Sequence, residues 1–170
     1  MLLAKPPTYA LIVNILVTLC NSPYLQVRDL SNNSLTARIP KFLIVMNGTL
    51  IILDLARNKL NGTIHTFPGL CSLRTLDLNG NSLQGKLPKY LANCGKLNNL
   101  DIGDNHIHDQ FPCWLKNIST LGFLVLISNK LHGSIKCGGE RVAWTHLQIS
   151  DLVSNNFSGL QCHSLKLGRQ

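Results

Sequence analysis

An asparagine returns along this 170-residue chain at Asn33, Asn58, Asn81, Asn105, Asn129 and Asn155, at steps of 25, 23, 24, 24 and 26 residues. Each lies in the same local string. "LIILDLARNKLNGTI" (Leu50–Ile64) and "LRTLDLNGNSLQGKL" (Leu73–Leu87) agree at nearly every apolar position. "LNNLDIGDNHIHDQF" follows from Leu97 and "LGFLVLISNKLHGSI" from Leu121, with weaker copies from Leu25 and Leu147. Leu76 and Leu78 have the two-residue spacing of one strand face, and no helical spacing persists past the Asn, Gly and Pro that follow. Self-similarity at a period of roughly 20 to 50 residues marks a stacked array. No unit can bury its own leucines, so the units form one domain.

The spacing predicts an α/β solenoid of about six coils with a parallel sheet on its concave side. Strands stack about 4.8 Å apart, and their leucines make one continuous core. Each coil then turns back, which leaves backbone groups in the bend without ladder partners. A buried Asn amide can both donate to and accept from them, so the six asparagines are expected to form a stacked ladder. Gly85 and Pro88 set the turn to the convex side. The repeat domain runs over residues 25–159. Residues 1–24 read as a leader or the remnant of a preceding repeat, and 160–170 as an irregular tail. Lys5 and the apolar run Ala10–Leu19 suit a signal peptide, but Asn14 interrupts the run and no small-x-small cleavage site follows. No stretch reaches the roughly 18 to 20 apolar residues of a membrane helix. Solenoid ends expose apolar core unless capped. With only Ala10–Leu19 at one end and Leu160, Leu165 and Leu167 at the other, association through the ends is expected.

A net charge of +8 raises the possibility of nucleic acid, but the distribution argues against it. Asp29, Asp54, Asp77, Asp101 and Asp151, five of the eight acidic residues, recur in one slot between the core positions of the strand. They are expected to line the concave face, while Lys and Arg are scattered. Solubility, or attraction to acidic cell-wall polymers, accounts for the charge equally well. Arg28 and Ser150 stand in core slots filled elsewhere by Leu53, Leu76 and Leu100. Burying an unpaired Arg is costly, so Arg28 is expected to escape into solvent at the first coil.

Asn-x-Ser/Thr triplets at Asn32, Asn47, Asn61, Asn117 and Asn156 favour a secreted or luminal glycoprotein. Six cysteines fit that compartment. Cys113 and Cys137 each lie eight residues after their Asn, one coil apart, and a disulfide between them is expected. Cys71 and Cys94 are also in phase, thirteen after theirs, but in apolar context, where buried thiols are an equal alternative. His106 and His108 lack a third ligand and read as exposed loop residues; no metal or other cofactor is expected. No metalloprotease, nucleotide-binding or nucleophile-elbow motif is present, and the chain is expected not to be an enzyme.

The joint agreement of Leu, Asn, Gly and Pro resembles the leucine-rich repeat, and its "LxGxIP" continuation the plant extracellular subtype. "GLCSLRTLDLNGNSLQGKLPKYLANC", "FPCWLKNISTL" and "LVLISNKLHGSIKC" resemble the carboxy-terminal repeats of plant receptor-like proteins, closest to the Verticillium-wilt-type disease-resistance class. The resemblance implies a non-catalytic module on the extracellular side of the plasma membrane, binding a protein or peptide, with a co-receptor kinase supplying the signal. A secreted protein follows if the chain is complete. The alternatives are a soluble inhibitor of microbial wall-degrading enzymes and a non-functional truncated copy. The positions expected to carry binding project from the strands: Asp54, Arg57, Thr75, Asp77, Asn99, Asp101, Phe123, Val125 and Ile127. The last three make an apolar patch beside the acidic column, although strand propensity alone would also place β-branched residues there.

Overall fold

The computed structural model describes residues 24–39, 49–65, 71–137 and 144–158. Within these residues twelve short strands follow one another. The first six are β1 (Val27–Asp29), β2 (Thr36–Arg38), β3 (Ile52–Asp54), β4 (Lys59–Thr63), β5 (Thr75–Asp77) and β6 (Ser82–Gly85). Then come β7 (Asn99–Asp101), β8 (His106–Ile107), β9 (Phe123–Val125), β10 (His132–Ser134), β11 (Ile149–Asp151) and β12 (Asn156–Ser158). The odd-numbered strands form one six-stranded parallel sheet in the order β1-β3-β5-β7-β9-β11. The even-numbered strands form a second wall, β2-β4-β6-β8 and β10-β12, bridged by Gln110 and His132. The result is a parallel-strand solenoid of about five turns between six strands. Where the chain returns after β6 and β8 it makes 3-10 turns, Lys89–Asn93 and Cys113–Asn117, after Pro88 and Pro112 respectively.

The core lies between the two walls. Leu53, Leu76, Leu100 and Leu124 point inward from the middle of their strands, and Leu55, Leu78, Ile102 and Leu126 follow two residues later, all buried. Leu60, Leu83, Ile107 and Leu131 close the other side, and Leu91 and Leu115 fill the 3-10 turns. Full burial of each such side chain is worth about 1.5–3 kcal/mol. Phe111 meets Trp144 and Phe157 edge to face, with ring centroids 6.2 and 5.8 Å away.

The asparagines bind the turns together. Asn58, Asn81, Asn105 and Asn129 are buried. Their Oδ1 atoms accept from Leu35, Leu60, Leu83 and Ile107 N–H of the preceding coil at 2.9–3.0 Å. Their Nδ2 groups donate to carbonyls of their own coil and to Leu30, Leu55, Leu78 and Ile102 of the coil before. Asn155 repeats this, half-buried. Exposed Asn33 donates only within its own coil, to Leu30 and Ser31. The residue before each Asn takes a left-handed backbone: Asn32, Arg57, Gly80, Asp104, Ser128 and Ser154, with φ between 48° and 65°. The tight turn that aims the amide inward imposes this conformation on all six.

Arg28 departs from expectation. Its strand alternation drives the side chain inward beside Leu53, and it is 5% exposed rather than in solvent. Ser150 is exposed on β11, the edge strand of the six-stranded sheet. Cys113 is joined to Cys137 with Cα atoms 5.4 Å apart, and Cys71 to Cys94 at 4.7 Å. The apolar context at Cys71 and Cys94 left thiols open, yet equal phase puts the pair one coil apart, within bonding reach. The leader, the tail and Asn47 lie outside the described residues.

Candidate recognition surface

The outward side of the six-stranded sheet is a set of columns, the members of each standing one strand spacing apart and neighbouring columns two residues apart along the strand. Val27, Ile52, Thr75, Asn99, Phe123 and Ile149 pair in register along one. Asp29, Asp54, Asp77, Asp101, Val125 and Asp151 pair along the next. Ile127 borders them, because a Cβ on Gly103 would lie 2.7 Å from Asn79 Nδ2 and 2.8 Å from Ile127 Cγ2. Thr75, Asp77, Asn99, Asp101, Phe123, Val125 and Ile127 are all half-buried, and Arg57 is exposed at the turn, donating from Nε to Asn32 Oδ1 at 2.6 Å.

The aspartates also hold the backbone. Asp54, Asp77, Asp101 and Asp151 each accept, through Oδ1, the N–H two residues on, at 2.8–3.1 Å. Asp29 does the same to Ser31 and also receives the Ser31 hydroxyl. The column is therefore part of the turn into the ladder, a role that spacing alone does not reveal. Valine at position 125 lacks this cap and makes the apolar break between Asp101 and Asp151.

Burial pushes the Asp77 and Asp101 carboxyls above the ordinary range, and repulsion adds to it, from Asp101 and Asp54 on Asp77 and from Asp104 and Asp151 on Asp101. Hydrogen bonds from Ser31 lower Asp29. The signs follow from linkage. A raised folded-state pKa means that Asp77 and Asp101 cost stability at neutral pH and recover it as pH falls through their folded values to 3.8 and below. Asp29 acts oppositely, losing its contribution as pH falls below 3.8 through its lowered value. Asp77→Asn keeps an oxygen for the Asn79 N–H and removes a charge. It is expected to stabilise the fold at pH 7 by about 0.5 kcal/mol, the scale of a solvent-screened like-charge pair. Thermal melts should show the advantage vanish near pH 3; an equal gain at both pH values would rule out charge as its cause.

Two residues that spacing did not single out extend the apolar patch: Ile149 is 52% and Val153 63% exposed, one coil beyond Phe123 and Ile127. They occupy the same repeat slots as those residues, which is the signal that could have found them. At the edge where the chain enters the strands, a cleft of about 590 Å³ is lined by Ile51, Ile52, Arg74, Thr75, Lys96, Asn98 and Thr120. Among the described residues no group of three or more His, Cys, Asp or Glu is placed to hold a metal. None of the described helices is long and apolar enough to cross a membrane.

Comparison with known proteins follows this geometry. The Leucine Rich Repeat family matches residues 72–94. Receptor-like protein 35 of Arabidopsis thaliana is 38% identical over 81 residues, covering 46% of this chain and 8% of that protein. The plant peptide hormone receptor RGFR1, solved in complex with RGF2, superposes with a TM-score of 0.74 at 32% identity, covering 82% of this chain and 22% of that one. The BIR3–SERK2 complex from Arabidopsis thaliana gives a TM-score of 0.62 at 31% identity, over 77% of this chain and 68% of that one. The chain thus spans a small part of the receptor-like protein and of RGFR1. Repeat register, Asn ladder and likeness agree: the chain belongs to the leucine-rich repeat family, of the type that builds plant receptor ectodomains.

Proposed function

We propose that the chain is the ligand-recognition part of a plant cell-surface receptor-like protein, acting in defence or developmental signalling and doing no chemistry itself. The observation that carries this reading is the register of the six-stranded sheet. It lays a carboxylate column, Asp29 to Asp101, beside an apolar patch of Phe123, Val125, Ile127, Ile149 and Val153, with Asp151 standing within the far edge of that patch. Such a surface suits a protein or peptide segment that offers cations to one half and apolar side chains to the other. RGFR1 is solved with RGF2, and the Arabidopsis receptor kinase HAESA with the peptide hormone IDA and the co-receptor SERK1, which supports a peptide ligand and a co-receptor as the partner classes. The compartment would be the extracellular side of the plasma membrane. Asn32, Asn61, Asn117 and Asn156 are exposed and available as glycosylation sites.

The test is surface plasmon resonance of the chain against plant peptide hormones and SERK-type ectodomains. Phe123→Asp and Asp101→Lys are each expected to weaken the bound partner by about tenfold or more, as central anchors do. Unchanged affinity in both variants, with a folded circular dichroism spectrum, would move the site off this sheet. Inhibition of a microbial wall-degrading hydrolase, with no peptide or ectodomain bound, would replace this reading with the inhibitor one.

A further inference from the structure

Five of the eleven described Lys and Arg residues, with three of the five described His, stand together on one wall of the solenoid. In the second wall, the described residues one, three and five after each ladder Asn are exposed, and in the first five coils the residue between the first two of them is buried: Leu35, Leu60, Leu83, Ile107 and Leu131. Neighbouring coils pair with a two-residue offset: Arg38 with Asn61 and then Ser82, Gln84 with His106, and His132 with Asn156. Arg38, Lys59, Lys86, His106, His108, Lys130, His132 and Lys136 are all exposed on this face, among Asn61, Thr63, Ser82, Gln84 and Gln110. Of the described acidic residues only Asp109 belongs to this wall; it is half-buried, and its Oδ1 accepts the Gln110 N–H. The other described acids stand on the six-stranded sheet or the turn after it. The described carboxylates thus avoid this wall almost entirely, and it carries an excess of basic side chains.

We infer that the second wall is a docking surface for a linear acidic polysaccharide, a polyuronate. Three observations select this class. The cations come in successive coils at strand spacing, so a straight chain of carboxylates laid across the strands meets them repeatedly. Amide and hydroxyl side chains fill the places between, where sugar hydroxyls need partners. Among the described residues the outward positions carry no Phe, Tyr or Trp, which leaves only the small imidazole rings where single-stranded nucleic acid uses broad stacking platforms. Two disulfides suit an oxidising compartment outside the cytosol, where such polymers occur and nucleic acid is not the common polyanion. The sequons at Asn61 and Asn156 lie towards the two ends of the wall, leaving Lys86, His106, His108 and Lys130 between them.

The experiment uses the full chain carrying N61Q/N156Q, so that no glycan attached there shields the wall. Biolayer interferometry is run against polygalacturonate, a neutral dextran of equal length, duplex DNA and phosphatidylserine vesicles. The expected result is binding to polygalacturonate that weakens steeply with salt, with none to dextran. K86E/K130E should lower that affinity by about tenfold or more, since both contacts turn repulsive. Asp77→Asn, on the opposite wall, should leave it within about twofold. Equal binding to dextran, or retention of affinity in a K86E/K130E chain that melts like the parent, would overturn the inference. Tighter binding to DNA or to the vesicles at equal charge concentration would overturn it in favour of a phosphate surface. The recognition reading of the six-stranded sheet is untouched by any of these outcomes.

Discussion

Asn105→Ala is expected to lower the unfolding free energy by about 3–5 kcal/mol, among the larger effects a single substitution produces. Its side chain is 4% exposed and makes four bonds that alanine cannot. Oδ1 accepts the Leu83 N–H at 2.9 Å, and Nδ2 donates to Leu78, Ile102 and Gly103 carbonyls at 2.9, 3.2 and 2.9 Å. Truncation strands these backbone groups inside the turn, each at about 1–3 kcal/mol where water cannot reach. Asn105→Asp should fare no better, since it keeps the acceptor but loses both donors and buries a charge. Asn33→Ala is the internal control. Asn33 is exposed and donates only to Leu30 and Ser31 of its own coil, so its loss should cost less than about 1 kcal/mol. Urea denaturation of both variants decides the matter: equal costs at positions 33 and 105 would show that bonding between coils does not carry the ladder's energy.

The contrast between those two asparagines also marks what was legible in the sequence. The ladder was readable because a polar residue repeating inside an apolar frame has one economical use, satisfying backbone within a bend. The outward strand positions were readable because alternation fixes side-chain direction. The aspartate column was located but only half understood. A carboxylate that caps the backbone two residues on and one that simply faces solvent occupy the same slot, and only the Oδ1 bonds to Ala56, Asn79 and Gly103 separate them. The left-handed column was hidden for a similar reason: Gly80 alone betrays it, while Asn32, Arg57, Asp104, Ser128 and Ser154 take the same conformation without glycine's freedom. His106 and His108 read as loop residues because β8 is only two residues long. Its pairing with β6 becomes visible only once the two-residue offset between coils is known. Arg28 was placed wrongly because a desolvation cost was allowed to outvote strand alternation, and alternation won.

Removing the disulfides is the other large perturbation. Cys71–Cys94 and Cys113–Cys137 close loops of 23 and 24 residues that do not overlap. Loop-closure entropy assigns about 3.5 kcal/mol to each. The first joins equivalent positions after Asn58 and Asn81, the second equivalent positions after Asn105 and Asn129, so they fasten different junctions of the solenoid. Contacts in such an array are between neighbours only, and the losses should therefore add to within about 0.5 kcal/mol. Both together come to roughly 7 kcal/mol, comparable with the whole stability of about 5–15 kcal/mol expected of a domain. C71A/C94A and C113A/C137A should each lower the urea midpoint while leaving the native circular dichroism spectrum unchanged. The quadruple variant, or the parent under reducing conditions, should be substantially unfolded at 25 °C. Cys94 is wholly buried and Cys71 half-exposed, whereas Cys113 and Cys137 are both half-exposed, so the Cys71–Cys94 pair offers reductant one accessible sulfur rather than two and should resist it longer. Two reduction phases in a timed thiol-labelling experiment, with Cys113 and Cys137 labelled first, would match this order. Simultaneous labelling would show that the fold opens as a whole before either bond is reached.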